Sequence, residues 1–154
     1  MFIQPVPIKQ KLFSLCAAFV DARIESAKLA IELAQSSANE ETKSSAGDKY
    51  ETGRAMAQLE IEKSSGQLAE AVKLKKALDQ IHIERITDVV RLGSLVFTDQ
   101  GNYFISISAG RLQWGGKEYT AISPASPLGM LMMNMQPGST VSFHQKQFRI
   151  LDIF

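Results

Sequence analysis

Apolar residues in the first part of the chain recur at alternating intervals of four and three residues. They are Phe13, Ala17, Val20, Ile24, Ala27, Ile31 and Ala34. This spacing places them along one side of an α-helix about four to five heptads long. Pro5 and Pro7 precede the seam, so we expect the helix to begin after them, and the pattern is lost from Gln35 to Asn39. A chain with such a seam has to pack a long helix against an apolar partner.

That partner is predicted by a second helical pattern, which begins near Asp48 and continues to about Gln80. Its apolar positions are Ala57, Ile61, Leu68, Ala71, Val72 and Leu78. Gly53 and Gly66 each weaken a helix by about 1 kcal/mol relative to Ala, so we expect pairing with the first helix to stabilise it. The two patterns predict an antiparallel hairpin with the polar stretch 39–53 at its tip. Because small residues dominate both seams, the hairpin is expected to be a thin arm, about 45 Å long for about 30 residues.

The second half of the chain changes to short segments rich in β-branched and aromatic residues. These are LGSLVFTD, NYFISISAG, KEYTAI, TVSFH and QFRILDIF, separated by the turn signals DQGN, AGR, WGGK, QPGS and HQKQ. One short helix is expected from Ser126 or Pro127 to about Met133, with Ser126 as its N-cap and Pro127 at its first position. The sequence therefore predicts an α+β protein, with a helical coiled-coil hairpin over residues 1–82 and a small antiparallel sheet domain with one short helix over 83–154.

Composition excludes several classes of protein. The 154 residues are 45% hydrophobic and 21% charged, which is typical of an ordered chain. A net charge of +1 provides no broad basic field for binding duplex nucleic acid directly. No apolar run approaches the length of a membrane span, so we expect a soluble cytoplasmic protein without a membrane partner. Cys16 is the single cysteine, which excludes an intrachain disulfide, and its apolar surroundings predict a buried, inert thiol.

Signatures of an independent enzyme are absent from the sequence. There is no phosphate loop, no dinucleotide fingerprint and no two-histidine zinc pattern, so no small-molecule substrate is expected. His82 and His144 fall in different elements and are interpreted as surface or interface residues. Lys73, Lys75 and Lys76 form a tight basic group, which is either a solvated helix face or a contact for phosphate.

Four methionines are concentrated in the segment LGMLMMNMQPG. We expect Met130 and Met133 to form the packed face of the short helix. Met132 and Met135 are candidates for an adaptable surface that docks a partner. Trp114 stands beside a Gly-Gly pair and is interpreted as a packing residue near a hairpin turn, with a partner contact as the alternative.

The tip of the predicted hairpin carries four carboxylates, Glu40, Glu41, Asp48 and Glu51. One interpretation is a polar turn in which Asp48 and Glu51 cap the second helix. The other is that carboxylates held at the end of an arm supply oxygen ligands to Mg²⁺, which binds through one or two carboxylates and takes its remaining ligands from water or a partner. The second interpretation requires a host that provides the rest of the site.

A long helical hairpin with an acidic tip, followed by a small sheet domain, resembles the Gre family of bacterial transcript cleavage factors. VRLGSLVF is similar to the start of that family's second domain, and AISPASPLGMLMMNMQPGSTVSF and QFRILDI are similar to its later segments. The resemblance implies an FKBP-like second domain and RNA polymerase as the partner. It also implies that the hairpin enters the polymerase's secondary channel, with the Met-bearing helix, including Ser126 and Pro127, as our candidate for the polymerase contact.

In that family an Asp-x-x-Glu pair at the tip helps to hold the second catalytic Mg²⁺, and the polymerase then hydrolyses the 3′ end of a backtracked nascent RNA. The factor lends a ligand and is not itself an enzyme. In this chain Glu41 matches the first acid, whereas Ser44 occupies the place of the second. Asp48 or Glu40 would therefore complete a two-carboxylate site with Glu41. The alternatives are a secondary-channel regulator that does not stimulate cleavage and, from the FKBP-like domain, a peptidyl-prolyl isomerase.

Overall fold

The chain forms two long helices followed by a six-stranded sheet, which confirms the α+β class. The computed structural model describes residues 4–43 and 47–154, and the side chains of residues 41–50 lie outside this description. The elements are α1 (Pro5–Lys43), α2 (Gly47–Asp79), β1 (Leu95–Thr98), β2 (Gly101–Ile105), β3 (Gly110–Trp114), β4 (Lys117–Ile122), α3 (Pro127–Met132), β5 (Thr140–Phe143) and β6 (Lys146–Ile153). Among the described residues, no helix is both long and apolar enough to cross a membrane.

The ends of the two long helices differ from the sequence prediction by a few residues. α1 begins at Pro5, so both prolines lie in its first turn rather than before it. This is possible because the N–H groups of a first turn have no acceptor within the helix, and proline lacks only that group. α2 begins at Gly47, which places Asp48 inside its first turn rather than at the cap position.

The hairpin seam follows the predicted spacing from Val20 onward. Its buried residues are Val20, Ile24, Ala27, Ala34, Ala57 and Ala71. Val72, predicted to lie on the seam, is exposed, whereas Ser64 is buried. The heptad spacing explains why Ser64 is buried, because Ser64 lies three residues after Ile61 and four before Leu68. Its hydroxyl is near enough to donate to Oε1 of Glu60, at 3.3 Å, and so remains hydrogen-bonded.

The six strands lie in the order β3-β4-β2-β1-β6-β5. β2 and β4 run parallel, while the other four neighbouring pairs are antiparallel, so the sheet is mixed and mainly antiparallel. The chain passes from β2 to the edge strand β3 and returns through a hairpin. Because β4 is then inserted between β3 and β2, it runs in the direction of β2.

The edge strand β3 was not predicted as a strand. Only Leu112 among its five residues is buried, so the segment lacks the alternation by which strands are recognised. Gly115 and Gly116 have φ values of 61° and 75° and join β3 to β4 in a two-residue turn, in which Trp114 pairs with Lys117. Such a Gly-Gly turn requires a strand on both sides, and this is the signal that would have identified β3.

The core of the sheet domain is formed by α3, by the four strands β1, β2, β5 and β6, and by one residue before β1. Its buried members are Val90, Val96, Ile105, Leu128, Met132, Val141, Phe148, Ile150 and Ile153. Ser126 is the N-cap of α3 as predicted, because its Oγ accepts from the N–H of Gly129 at 3.1 Å and donates to the carbonyl of Ser123 at 2.7 Å. Pro127 occupies the first turn, also as predicted.

Ser126→Ala is expected to lower the free energy of unfolding by about 1 kcal/mol, because it leaves the Gly129 N–H without its acceptor. Urea denaturation followed by circular dichroism measures the change. Ser126→Thr keeps a hydroxyl at this position and should retain most of the stability. Equal stability of the alanine variant and the original protein would contradict the capping role.

The first turns of α1 belong to the same compact unit as the sheet. One unit contains the residues up to Ala18 together with Lys76–Phe154, and the other is Phe19–Lys75. The chain therefore does not divide at a single position near residue 82. Within the first unit Cys16 is buried, as expected, and its Sγ lies 3.7 Å from Oγ of Ser106. Burial raises the pKa of Cys16 more than this hydrogen bond lowers it, so the neutral thiol is favoured.

Lys9 is fully buried in this unit, although a lysine is expected at the surface. Its Nζ donates to the main-chain carbonyl of Arg85 at 3.2 Å. None of the ion pairs among the described residues involves Lys9. Burial lowers its pKa from 10.5 to about 8. Lys9 lies three residues before Leu12 and seven before Cys16, so the three buried side chains share one side of the helix.

Lys9→Met is expected to raise the free energy of unfolding at pH 7 by about 1 to 3 kcal/mol, because it removes the cost of burying a charge. The unfolded chain binds more protons than the folded chain between pH 8 and 10.5, so the stability of the original protein should rise with pH across that window. The variant should lose this rise. Urea denaturation at pH 7, 8, 9 and 10 tests both effects, with Lys28→Met as an exposed control, and a less stable Lys9→Met variant at pH 7 would contradict the assignment.

Candidate functional site: the hairpin tip

The two long helices place the predicted acidic residues at one end of the hairpin unit. α1 ends at Lys43 and α2 begins at Gly47, so residues 44–46 alone connect the helices. Glu40 and Glu41 lie in the last turn of α1, and Asp48 lies in the first turn of α2. The side chains of Glu41 and Asp48, and all of Ser44, lie outside the described residues. Glu40 is described and is exposed to solvent.

Helix electrostatics give the tip an uneven charge distribution. The C-terminal end of a helix carries partial negative charge, so Glu40 and Glu41 add their charges where the peptide dipoles are already unfavourable to an anion. Asp48 has the opposite environment, because the N-terminal end of α2 favours a carboxylate. The α1 side of the tip is therefore a favourable position for a cation, and it offers hard oxygen ligands of the kind that Mg²⁺ accepts.

A complete metal site is not formed by the described side chains. Among the residues whose side chains the structure describes, no group of three or more His, Cys, Asp or Glu residues is arranged to hold a metal ion. The donor set at the tip fits an ion that takes one or two carboxylates and completes its coordination elsewhere. The sequence predicts Glu41, Asp48 and Glu40 as the residues that supply such ligands, and of these only the side chain of Glu40 is described.

An open groove lies between α1 and α2 near the tip, and sequence reasoning did not predict it. It has a volume of about 490 Å³, and its lining includes Leu33, Gly53 and Met56. Leu33 is 60% exposed and Met56 is 65% exposed, and the hairpin also exposes Leu29 and Leu59. The signal was the i, i+4 pair of Leu29 and Leu33, which lies off the main seam. Exposed apolar side chains grouped in this way are typical of surfaces that contact another protein.

The methionine predictions are wrong at two positions. Met132 is 0% exposed and belongs to the core, so it is not available to a partner, whereas Met130 is 66% exposed instead of packed. The reason is the length of α3, which is so short that Leu128 and Met132, four residues apart, take up its buried face. Met133 packs partly against the core, as predicted.

The surface around α3 therefore differs from the predicted one. Met135 is exposed, as are Met130 and Leu131. Pro127 is exposed, but the hydroxyl of Ser126 is engaged in capping the helix. The contribution of Ser126 and Pro127 to partner binding remains a prediction, while the exposed apolar side chains near α3 are those of Met130, Leu131 and Met135.

The other candidates lie on the surface. Lys73 pairs with Glu70 at 3.2 Å and Lys75 with Asp21 at 3.8 Å, and all four side chains are largely exposed. Such pairs are typical of a solvated helix face and contribute little stability. His82 and His144 are both exposed, as expected.

Trp114 is partly exposed at the end of β3, with Nζ of Lys11 lying 5.3 Å from the centre of its ring. This distance is within the range of a cation–π interaction. The contact joins α1 to the β3–β4 hairpin, while the 44% exposure of Trp114 leaves part of its side chain on the surface.

Comparison with protein-family models gives no match to this chain, and comparison with curated proteins gives no significant match.

Proposed function

We propose that this chain is a Gre-like transcription factor that inserts its helical hairpin into the secondary channel of RNA polymerase and stimulates cleavage of backtracked transcripts. The observation that carries the proposal is the pair of long helices joined by residues 44–46, with acidic residues in the turns on both sides. The acidic residues lie at one end of the hairpin unit, in the last turn of α1 and the first turns of α2. The hairpin is therefore suited to completing a site on another protein.

The tip residues have a specific role in this proposal. Glu41, together with Asp48 or Glu40, would supply carboxylate oxygens to the second Mg²⁺ at the polymerase active site. When two ions are bound about 4 Å apart, they stabilise the attacking and leaving oxygens of the displacement. The chain contributes ligands and their position, whereas the polymerase contributes the first ion and the RNA 3′ end. This division agrees with a protein that is not an enzyme by itself.

The groove near the tip supports insertion into a protein channel. A hairpin that only extended into water would be expected to expose polar residues along its sides. This one exposes Leu29, Leu33, Met56 and Leu59, of which Leu33 and Met56 line a groove of about 490 Å³. The walls of a channel in a partner protein would cover these side chains.

A second candidate function keeps the same binding mode without cleavage. The observation that favours it is Ser44, which stands where the Gre family has its second acid. A hydroxyl does not provide the charge of a carboxylate, and without Asp48 or Glu40 in its place the hairpin would occupy the channel only as a regulator.

A backtracked elongation complex distinguishes the two functions. The protein is added to such a complex formed with RNA polymerase from the same source, and the length of the RNA 3′ end is followed over a range of Mg²⁺ concentrations. Faster shortening of the transcript supports the cleavage factor. Binding to polymerase without faster shortening supports the regulator, and no binding contradicts both.

A further inference from the structure

A cavity of about 350 Å³ lies in the unit that contains the sheet, and the proposed function does not use it. Its lining includes the polar or charged residues Arg85, Arg91, His82 and Ser94 and the apolar residues Leu92 and Met133. The volume is at the lower end of the range found for small-molecule sites. No Asp or Glu lines this cavity, although Glu84 and Asp88 belong to the same segment of the chain.

Both arginines are held by their backbones while their side chains remain exposed. The N–H of Arg85 donates to the carbonyl of His82 at 3.1 Å, and its own carbonyl accepts from the buried Lys9. The N–H of Arg91 donates to Oγ of Ser94 at 2.9 Å, and the N–H of Ser94 donates to the carbonyl of Arg91 at 3.0 Å. The Cα positions that support the two guanidinium groups are therefore fixed.

The guanidinium groups have no anionic partner among the described residues. None of the three ion pairs in the described part of the chain includes Arg85 or Arg91. Two positive charges at one small cavity repel each other. An anion bound between them would replace this repulsion with two attractive interactions. The planar donor fork of arginine matches the oxygens of phosphate in particular. Ser94 is nearly buried, and its hydroxyl proton is used by no hydrogen bond among the described residues.

We propose that this cavity binds a phosphate monoester of nucleotide size. Its phosphate group would lie between the side chains of Arg85 and Arg91, and its less polar body would contact Leu92 and Met133. Arginine binds a phosphate by paired hydrogen bonds that are stronger than those between neutral groups, so each arginine should contribute substantially to affinity. The ligand is bound and not converted.

Isothermal titration calorimetry of the full chain with adenosine monophosphate tests the proposal. Saturable 1:1 binding is expected, with adenosine and inorganic phosphate each binding at least about 10-fold more weakly. Arg85→Ala and Arg91→Ala should each weaken binding by about 10-fold or more. Arg85→Lys keeps the charge but loses the donor fork, so it should give a smaller loss than Arg85→Ala. Arg149→Ala, an exposed arginine on β6 that does not line the cavity, is the matched control.

Several results would overturn the proposal. Absence of saturable binding up to millimolar adenosine monophosphate would exclude the site for this ligand class. Unchanged affinity in Arg85→Ala and Arg91→Ala would show that binding occurs elsewhere. Equal affinity for adenosine would remove the role of the phosphate, and equal affinity for inorganic phosphate would remove the role of Leu92 and Met133. Because Arg85 and Arg91 are exposed, urea denaturation should show that both variants remain folded.

Discussion

Glu41→Ala and Asp48→Ala are each expected to reduce the stimulation of transcript cleavage by about 100-fold or more, while both variants still bind RNA polymerase. Groups that only support a metal ligand contribute about 10- to 100-fold to affinity or activity, so loss of a ligand itself should exceed that range. Binding should persist, because the proposed function assigns it to the sides of the hairpin and to the sheet domain. The measurement is the rate of 3′-end shortening in a backtracked complex, with polymerase binding measured in parallel.

Two further variants complete this test. Glu62→Ala removes an exposed carboxylate from α2 away from the tip and should leave cleavage unchanged. Glu40→Ala distinguishes the two possible partners of Glu41, because cleavage should survive it if Asp48 supplies the second carboxylate. If Glu41→Ala and Asp48→Ala both support cleavage at the original rate, the site assignment is wrong.

Gly129→Ala is expected to lower the free energy of unfolding by about 1 to 3 kcal/mol. A Cβ atom at this position would overlap the carbonyl oxygen of Ser123 and would lie 2.8 Å from Oγ of Ser126. It would therefore displace the backbone, which costs about 1 to 3 kcal/mol. It would also disrupt the cap of α3, which costs about 1 kcal/mol. Together these costs exceed the gain of about 1 kcal/mol that alanine normally brings to a helix.

Gly66→Ala is the matched control, because Gly66 also lies in a helix but has no atom within 4 Å of the added Cβ. It should raise the free energy of unfolding by about 0.5 to 1 kcal/mol. Urea denaturation measures both variants. A Gly129→Ala protein as stable as Gly66→Ala would contradict the packing described for α3.

Periodicity predicted the elements whose residues repeat. The hairpin was recognisable because Val20, Ile24, Ala27 and Ala34 keep a heptad spacing over several turns, and these residues are buried. The start of α3 was recognisable because Ser126 and Pro127 form a local capping pattern that depends on neighbouring residues only.

Features decided by contacts distant in sequence were missed. The burial of Lys9 depends on the segment around Arg85, 76 residues away. The edge strand β3 has one buried side chain, and the parallel pairing of β2 with β4 is a property of strand order. Met130 was predicted to be packed and Met132 to be on the surface, and the structure shows the reverse. The sequence of one short helix does not determine which of its faces is buried.

The candidate site also contains features that the sequence predicted and features that it did not. The positions of Glu41, Asp48 and Glu40 on both sides of the tip followed from the sequence, because they depend only on where the two helices end. The exposed apolar side chains beside the groove, such as Leu33 and Met56, became evident only when the helices were paired. Which carboxylates act together depends on side chains at residues 41–50.

The most direct test of the central claim is a site-specific crosslink from the tip of the hairpin. Cys16 is the single cysteine of the sequence, it is buried and burial raises the pKa of its thiol, so it should not compete for a thiol reagent with a cysteine introduced by Ser45→Cys. A thiol-linked photocrosslinker at this position is combined with a backtracked elongation complex, and Ser65→Cys on the exposed side of α2 serves as the control. We predict that position 45 crosslinks to the RNA polymerase subunit that carries the catalytic aspartates, at peptides next to the active site. Crosslinks from position 45 only to the outer surface of polymerase, or none while the protein is bound, would contradict the account.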